Sequence, residues 1–315
     1  MIIALALLVG AAATAWLLPR LLHRLTGSRV DPAVAITWWF LSCAGVLVTA
    51  AASVAMIVLP DHGPARSILN WVHSCWSALS HGDLTRVEDV LGGVALLAIV
   101  GVAVQVGDGA ARRRARMRAE RQRQLDLLRV LAGADADTSP VVWVDYGGPL
   151  AYSVAGNPGL VVVSSGLRDH LAPDQLAAVL AHERAHVRGR HHLLVGLADA
   201  IAGAASRVPL ARALPAAVRT LVEMAADREA AAGCGAPAVT AALHRVRTTA
   251  PPGALAIATD DVAERIDRLS RSSSPCRVRR LLALAAALPG AIALPAVVGF
   301  AALAVGAAVC SVFLI

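Results

Sequence analysis

Apolar residues along this chain come in long blocks rather than in a scatter. Three of them cover residues 2–18, 34–59 and 90–106, the third strongly interrupted only by Gln105. A fourth, 281–315, runs for 35 residues without a charge. A helix needs about 20 mostly apolar residues to cross a bilayer, so each block predicts a spanning helix. Pro289 and Pro295 interrupt the first part of the fourth block. This places its span at about 292–313, with 281–288 as an interfacial or packed lead-in; a hairpin of two short spans is the alternative. The AAATA stretch at 11–15 looks like a signal-peptide cleavage site. No basic residue precedes it, however, and Arg20 and Arg24 follow the block directly, so it reads as a retained helix.

Between the third and fourth blocks the pattern changes. Residues 133–140, GADADTSP, form a polar linker. Residues 141–146 and 151–155 alternate or run β-branched around Gly147-Gly148-Pro149, which predicts a hairpin, and 160–164 predicts a third strand. Helical periodicity follows at about 173–188, 192–205, 216–232 and 236–248. The predicted fold class is a multi-span α-helical membrane protein with an α+β domain at 111–280. Residues 1–110 carry three transmembrane helices and an outer loop at 60–89, and 281–315 is the C-terminal transmembrane segment.

Composition agrees with a membrane location: 57% of residues are apolar and mean hydropathy is +0.62. Charge then orients the helices. Net charge is +7, and all 29 basic residues are arginine. Arg20, Arg24 and Arg29 follow the first block, and seven arginines lie between Arg112 and Arg123, just after the third. Arg271, Arg277, Arg279 and Arg280 precede the fourth, whereas the 61–89 loop has two arginines against four acids. Positive charge favours the cytoplasmic side. The expectation is a multi-pass cell-membrane protein with both termini outside and residues 111–280 in the cytosol.

The arginine run raises a nucleic-acid reading, given a pI near 10.1. Its juxtamembrane position points instead to anionic lipid headgroups, and no direct nucleic-acid binding is expected. The five cysteines have no zinc-knuckle or disulfide spacing.

Chemistry enters at His182-Glu183-Arg184-Ala185-His186, inside a predicted helix with Pro173 in its first turn and Gly189 at its end. On a helix, residues four apart share a face. Two imidazoles at that spacing hold one Zn²⁺, and the intervening Glu183 faces the open side, where it serves as general base toward water. Catalytic zinc keeps three protein ligands. Glu223, 37 residues after His186 on a second Ala-rich helix, is the candidate third ligand. Asp227, one turn further, is the candidate acceptor for the second ring N–H of a ligand histidine. The expected cofactor is one Zn²⁺ per chain. His244 is a candidate for stabilising a developing oxyanion, against an ordinary helix-surface histidine. His191 and His192 read as surface or supporting residues rather than extra ligands. His62, His73 and His81 cluster between apolar blocks, where metal binding or pH sensing competes with the plainer reading of loop histidines.

The stretch from about 141 to 232 resembles the catalytic core of membrane-embedded gluzincin metallopeptidases, both the HtpX and CAAX-prenyl-protease type and the BlaR/MecR antirepressor type. AYSVAG resembles their edge strand, VVVSSGL the strand and turn before the active-site helix, LAHERAHVRGRHH the metal helix, and EMAADREA the Glu-bearing helix. The resemblance implies a zincin-like fold, with His182, His186 and Glu223 as zinc ligands, Glu183 as base and Asp227 as supporting acid. Many relatives carry an acidic residue where this chain has His191 and His192. The strand Ala151, Tyr152, Ser153, Val154, Ala155 is expected along the cleft, where an extended substrate adds by backbone pairing.

Three spans before the core and one after resemble the antirepressor type, without its usual external sensor domain. The expected activity is therefore zinc-dependent endoproteolysis of a cytosolic winged-helix-type repressor. The chain itself is a second candidate substrate, and the trigger would come from an unknown membrane sensor, the lipid phase or the outer loop. HtpX-like membrane-protein quality control is one alternative, and an inactive membrane signalling scaffold another.

Overall fold

The computed structural model describes residues 2–26, 30–58, 141–154, 156, 159–249 and parts of 97–123, 263–270 and 282–304. The outer loop with His62, His73 and His81, the 133–140 linker and most of the 90–106 block lie outside the described residues.

Helix α1, Ile2–Thr26, and helix α2, Pro32–Val58, form an antiparallel pair. Their segments Ala4–Arg24 and Pro32–Val54 are long and apolar enough to cross a membrane. Asp31 starts α2: its Oδ1 accepts from Ala33 N at 2.9 Å, ahead of the first-turn Pro32. The outer faces carry bare apolar side chains, with Trp16 60% exposed and Val48 54% exposed. Such a surface suits acyl chains rather than water.

Two further pieces, Leu282–Ala291 and Ala293–Ala302, meet at 46°. Pro295 has no N–H for the Ala291 carbonyl and its ring crowds that oxygen, which accounts for the bend. Gly45 of α2 sits against the same carbonyl, where a Cβ would lie 2.1 Å from it. Trp38 Nε1 donates to Ala283 O at 3.1 Å, tying the lead-in to α2.

The sheet has the order β1-β3-β2. Strand β1, Val141–Val144, runs parallel to β3, Leu160–Ser164, with Val142 opposite Val162. Strand β2, Ala151–Val154, runs antiparallel to β3, with Tyr152 also opposite Val162. The predicted hairpin is therefore wrong: the two strands flanking Gly147-Gly148-Pro149 do not pair with each other. All five residues of β3 are buried, as fits the central strand. Ser164 then captures the loop, its hydroxyl accepting from Leu150 N at 2.9 Å and donating to Gly148 O at 2.7 Å. The same oxygen accepts from Leu167 N and starts helix α3, Ser165–His170, where the sequence predicted only a turn.

Helix α4, Pro173–Arg188, begins at Ala172, which has no capping side chain; Gln175 Oε1 reaches back to the Ala172 N–H at 3.2 Å instead. Helices α5, His191–Ala204, α6, Pro209–Cys234, and α7, Ala236–Thr249, follow. One core joins α6 to the membrane pair: Leu210, Leu214 and Val218 pack with Leu18 and Leu22 of α1 and Ile36 and Trp39 of α2. The predicted boundary at 110 is not a gap in packing. Arg228 of α6 also meets Asp31 at 2.8 Å, at the start of α2.

Candidate metal centre

Helix α4 supplies two donors from one face. His182 Nε2 and His186 Nε2 stand 3.1 Å apart. Helix α6 packs across α4 and presents Glu223, whose Oε2 is 3.5 Å from His182 Nε2 and whose Oε1 is 3.5 Å from His186 Nε2. A tetrahedral zinc with bonds of about 2.0–2.1 Å separates its ligand atoms by about 3.3–3.4 Å. Each Glu223 oxygen faces one histidine, the three distances lie within a few tenths of an ångström of that spacing, and the donor set is the nitrogen and carboxylate mix zinc prefers. These residues fit a zinc ion.

Support for the donors comes from three directions. Asp227, 2% exposed, lies one turn beyond Glu223 and meets His182 Nδ1 at 2.9 Å. Arg265 grips Asp227 with two hydrogen bonds, Nε to Oδ2 at 2.6 Å and a terminal nitrogen to Oδ1 at 2.7 Å. Its other terminal nitrogen is 3.5 Å from Glu223 Oε2. His191 Nδ1 lies 3.0 Å from His186 Nδ1. That contact depends on the α4–α5 turn, where Arg190 adopts φ +48° and Gly189 leaves room for the ring. A Cβ on Gly189 would lie 2.4 Å from His191 Nε2.

The electrostatics follow from these contacts. Burial pushes the His182 ring toward neutrality, but Asp227 and Glu223 outweigh it and raise its pKa to about 9 without metal. Burial alone would raise the Glu223 carboxyl; hydrogen bonds from His182 and His186 instead hold it well below the usual carboxylate range. Burial likewise opposes the Asp227 charge, and Arg265 with His182 overcomes it. His191 is driven the other way, to about 4, by burial and by the neighbouring His186. It is therefore neutral near pH 7, and its Nδ1 can accept a hydrogen bond from the His186 Nδ1–H.

Glu183 lines a cleft together with His182, Glu223, Asp227 and Arg265, beneath the edge strand β2. Along β2, Leu150 and Ala151 face an apolar recess, and Ser153 and Val154 face a second, more polar one beyond His186. Ala155 lies outside the described residues. His244 is not brought to the site. It is exposed on α7, whose inner face is Val239, Ala242 and Leu243. His192 lines the polar recess.

Sequence reasoning missed Arg265 altogether and left His191 as a surface or supporting residue. Nothing local marks Arg265, which reaches Asp227 across 38 positions of chain. For His191 there was a signal, a histidine two residues beyond a helix-ending glycine, but no way to know that the turn folds its ring back.

Residues 115–226 match the model of Peptidase family M48. The chain is similar to a protease HtpX homolog of Gemmatimonas aurantiaca, 36% identical over 86 residues, which is 27% of this chain and 30% of that protein. A protease HtpX homolog of Persephonella marina is 42% identical over 60 residues, 18% of this chain and 21% of that one. A third, from Salinibacter ruber, is 37% identical over 78 residues, 24% and 28% of the respective lengths. The chain thus matches less than a third of the length of each of these relatives. No solved structure matches.

Proposed function

We propose that this chain is an integral-membrane, zinc-dependent endopeptidase that cleaves protein substrates at a site facing the cytosol. The observation that carries the reading is the triangle of His182, His186 and Glu223 donors, with Glu183 beside it in a cleft under a strand that is at the sheet edge among the described residues.

A zinc ion held by His182, His186 and Glu223 supplies Lewis acidity and lowers the pKa of water in the cleft. The protein's own residues do the rest. The edge strand β2 offers backbone N–H and C=O groups to an extended substrate. Glu183 accepts a proton from water as its oxygen bonds to the scissile carbonyl carbon, then passes it to the departing amine as the C–N bond breaks. Asp227 accepts the His182 Nδ1–H, which leaves the Nε2 lone pair toward the ligand triangle. Arg265 keeps Asp227 charged and oriented. His191 does for His186 what Asp227 does for His182.

Among substrate classes, the similarity to HtpX homologs supports HtpX-like proteolysis of membrane proteins. Cleavage of a cytosolic repressor, the antirepressor reading, is the competing outcome. Glu183→Gln separates these and tests the enzyme itself. The variant should keep zinc and fold while cleavage falls by about 10²- to 10⁴-fold, because only general-base catalysis is removed. Quantitative proteomics of cells carrying it should show full-length membrane proteins accumulating. Accumulation of one soluble repressor instead would establish the antirepressor reading. No change in any protein, with zinc absent from the wild type, would leave only the scaffold.

A further inference from the structure

Helix α6 carries one more functional position on the stripe that holds Glu223 and Asp227. Arg219 lies one turn before Glu223 and lines the polar recess beyond His186. Arg113, from the arginine-rich stretch after the third apolar block, lines the same recess. Both guanidinium groups share one partner, Asp199 of α5: Arg113 at 2.5 Å, and Arg219 at 2.8 and 2.9 Å to the two carboxylate oxygens. Asp199 is 16% exposed in its side chain, while Arg113 and Arg219 are 41% and 52% exposed. One carboxylate thus fixes two arginines and neutralises only one. The surplus positive charge faces the cleft. Arg113 also lines a neighbouring groove with Arg112 and Arg116, where Asp199 is again in the wall and Asp108 lies 3.7 Å from Arg112. On the other side of the ligand triangle the cleft combines an apolar wall of Leu150, Leu167, Val179 and Leu243 with Glu183, Asp227 and Arg265.

We propose that Arg113 and Arg219 form an acidic-residue subsite, so that the preferred substrate is an extended segment with a carboxylate side chain on one side of the scissile bond and an apolar side chain on the other. The proposal rests on the proteolysis reading above and names its substrate class. The register follows from helix and strand geometry. Arg219 precedes Glu223 by four helical residues, about 6 Å along the axis. An extended chain advances about 3.3 Å per residue, so the carboxylate sits about two residues from the scissile bond. The shared Asp199 holds both guanidinium planes in place before substrate arrives, which spares their ordering cost on binding.

The test uses the full chain in detergent, zinc-loaded, and quenched-fluorescent decapeptides with leucine beside the scissile bond. A single position, two or three residues away on either side, is varied among aspartate, asparagine and lysine. Binding is measured with the Glu183→Gln protein and cleavage with the wild type. On one side only, aspartate should exceed lysine about tenfold in both measurements at low salt. The preference should shrink as ionic strength rises, as expected of partly solvated charges. Arg219→Gln and Arg113→Gln, checked for zinc content and melting temperature, should each cut it below about threefold. Unselective binding and cleavage, or selectivity surviving in both variants, overturns the subsite and leaves the protease standing. Charge-selective binding with no cleavage of any peptide keeps the subsite and sinks the protease reading. Variants that keep peptide selectivity but lose adsorption to vesicles containing anionic lipid show that the groove serves headgroups, and the subsite falls.

Discussion

Asp227 is a buried carboxylate held by two cationic or proton-donating partners, His182 and Arg265. Removing it should lower zinc affinity by about 10- to 100-fold, because His182 loses the acceptor that fixes its ring. Arg265 acts through Asp227, so Arg265→Gln should move zinc affinity in the same direction. The double variant should lose less than the two single losses added together, since both remove one linked network. Chelator competition on the three proteins decides this, and strictly additive losses would show that Arg265 works elsewhere. The same centre predicts a pH dependence. His182 is raised from 6.5 to about 9 without metal. Its protonated form therefore stabilises the metal-free fold below about pH 6.5, and that contribution is lost as pH climbs through about 9. Zinc needs the unprotonated ring, so its affinity should rise about tenfold per pH unit across the same window and level off above it. A flat profile between pH 7 and 9 would contradict the assigned proton.

At the scale of elements, the α4–α5 turn is where a small change has a split effect. Gly189 has φ −73°, which alanine accepts readily, and losing a glycine reduces unfolded-state freedom. The added methyl nevertheless meets the His191 ring. The ring can swing away, so Gly189→Ala should leave the melting temperature unchanged or slightly higher while zinc affinity falls about tenfold through His186. Parallel calorimetry and metal titration check this; a loss of both together would mean that the turn itself has collapsed. The elements that bear the site were legible in sequence because α4, α6 and α7 repeat apolar positions every three to four residues. The strand pairing was not. Val141, Ala151 and Val161 have similar local preferences, and only the assembled sheet shows which strand takes the centre.

For the whole molecule, α6 belongs to two bodies at once. Its first half packs on Leu18, Leu22, Ile36 and Trp39, its second half carries Glu223 and Asp227, and Arg228 meets Asp31 at the start of α2. The zinc site is therefore built close to the membrane pair. The arginine asymmetry predicts which side this is. Reporter fusions near residues 70 and 315 should read as external, and fusions near 125 and 260 as cytosolic. An external reading at 125 and 260 would remove every cytosolic substrate from consideration.

The grouping of His182, His186 and Glu223 was readable from the chain alone, because the two histidines, with Glu183 between them, share one helix and Glu223 lies on a later Ala-rich one. The apolar blocks of α1 and α2 were equally plain, since a bilayer demands an uninterrupted run. Arg265 on Asp227, His191 on His186 and the pairing of Arg113 with Arg219 through Asp199 were decided only by tertiary structure. Each joins positions whose separation carries no period, and a side chain's partner across space is set by how helices cross, which the order of residues along one helix does not record.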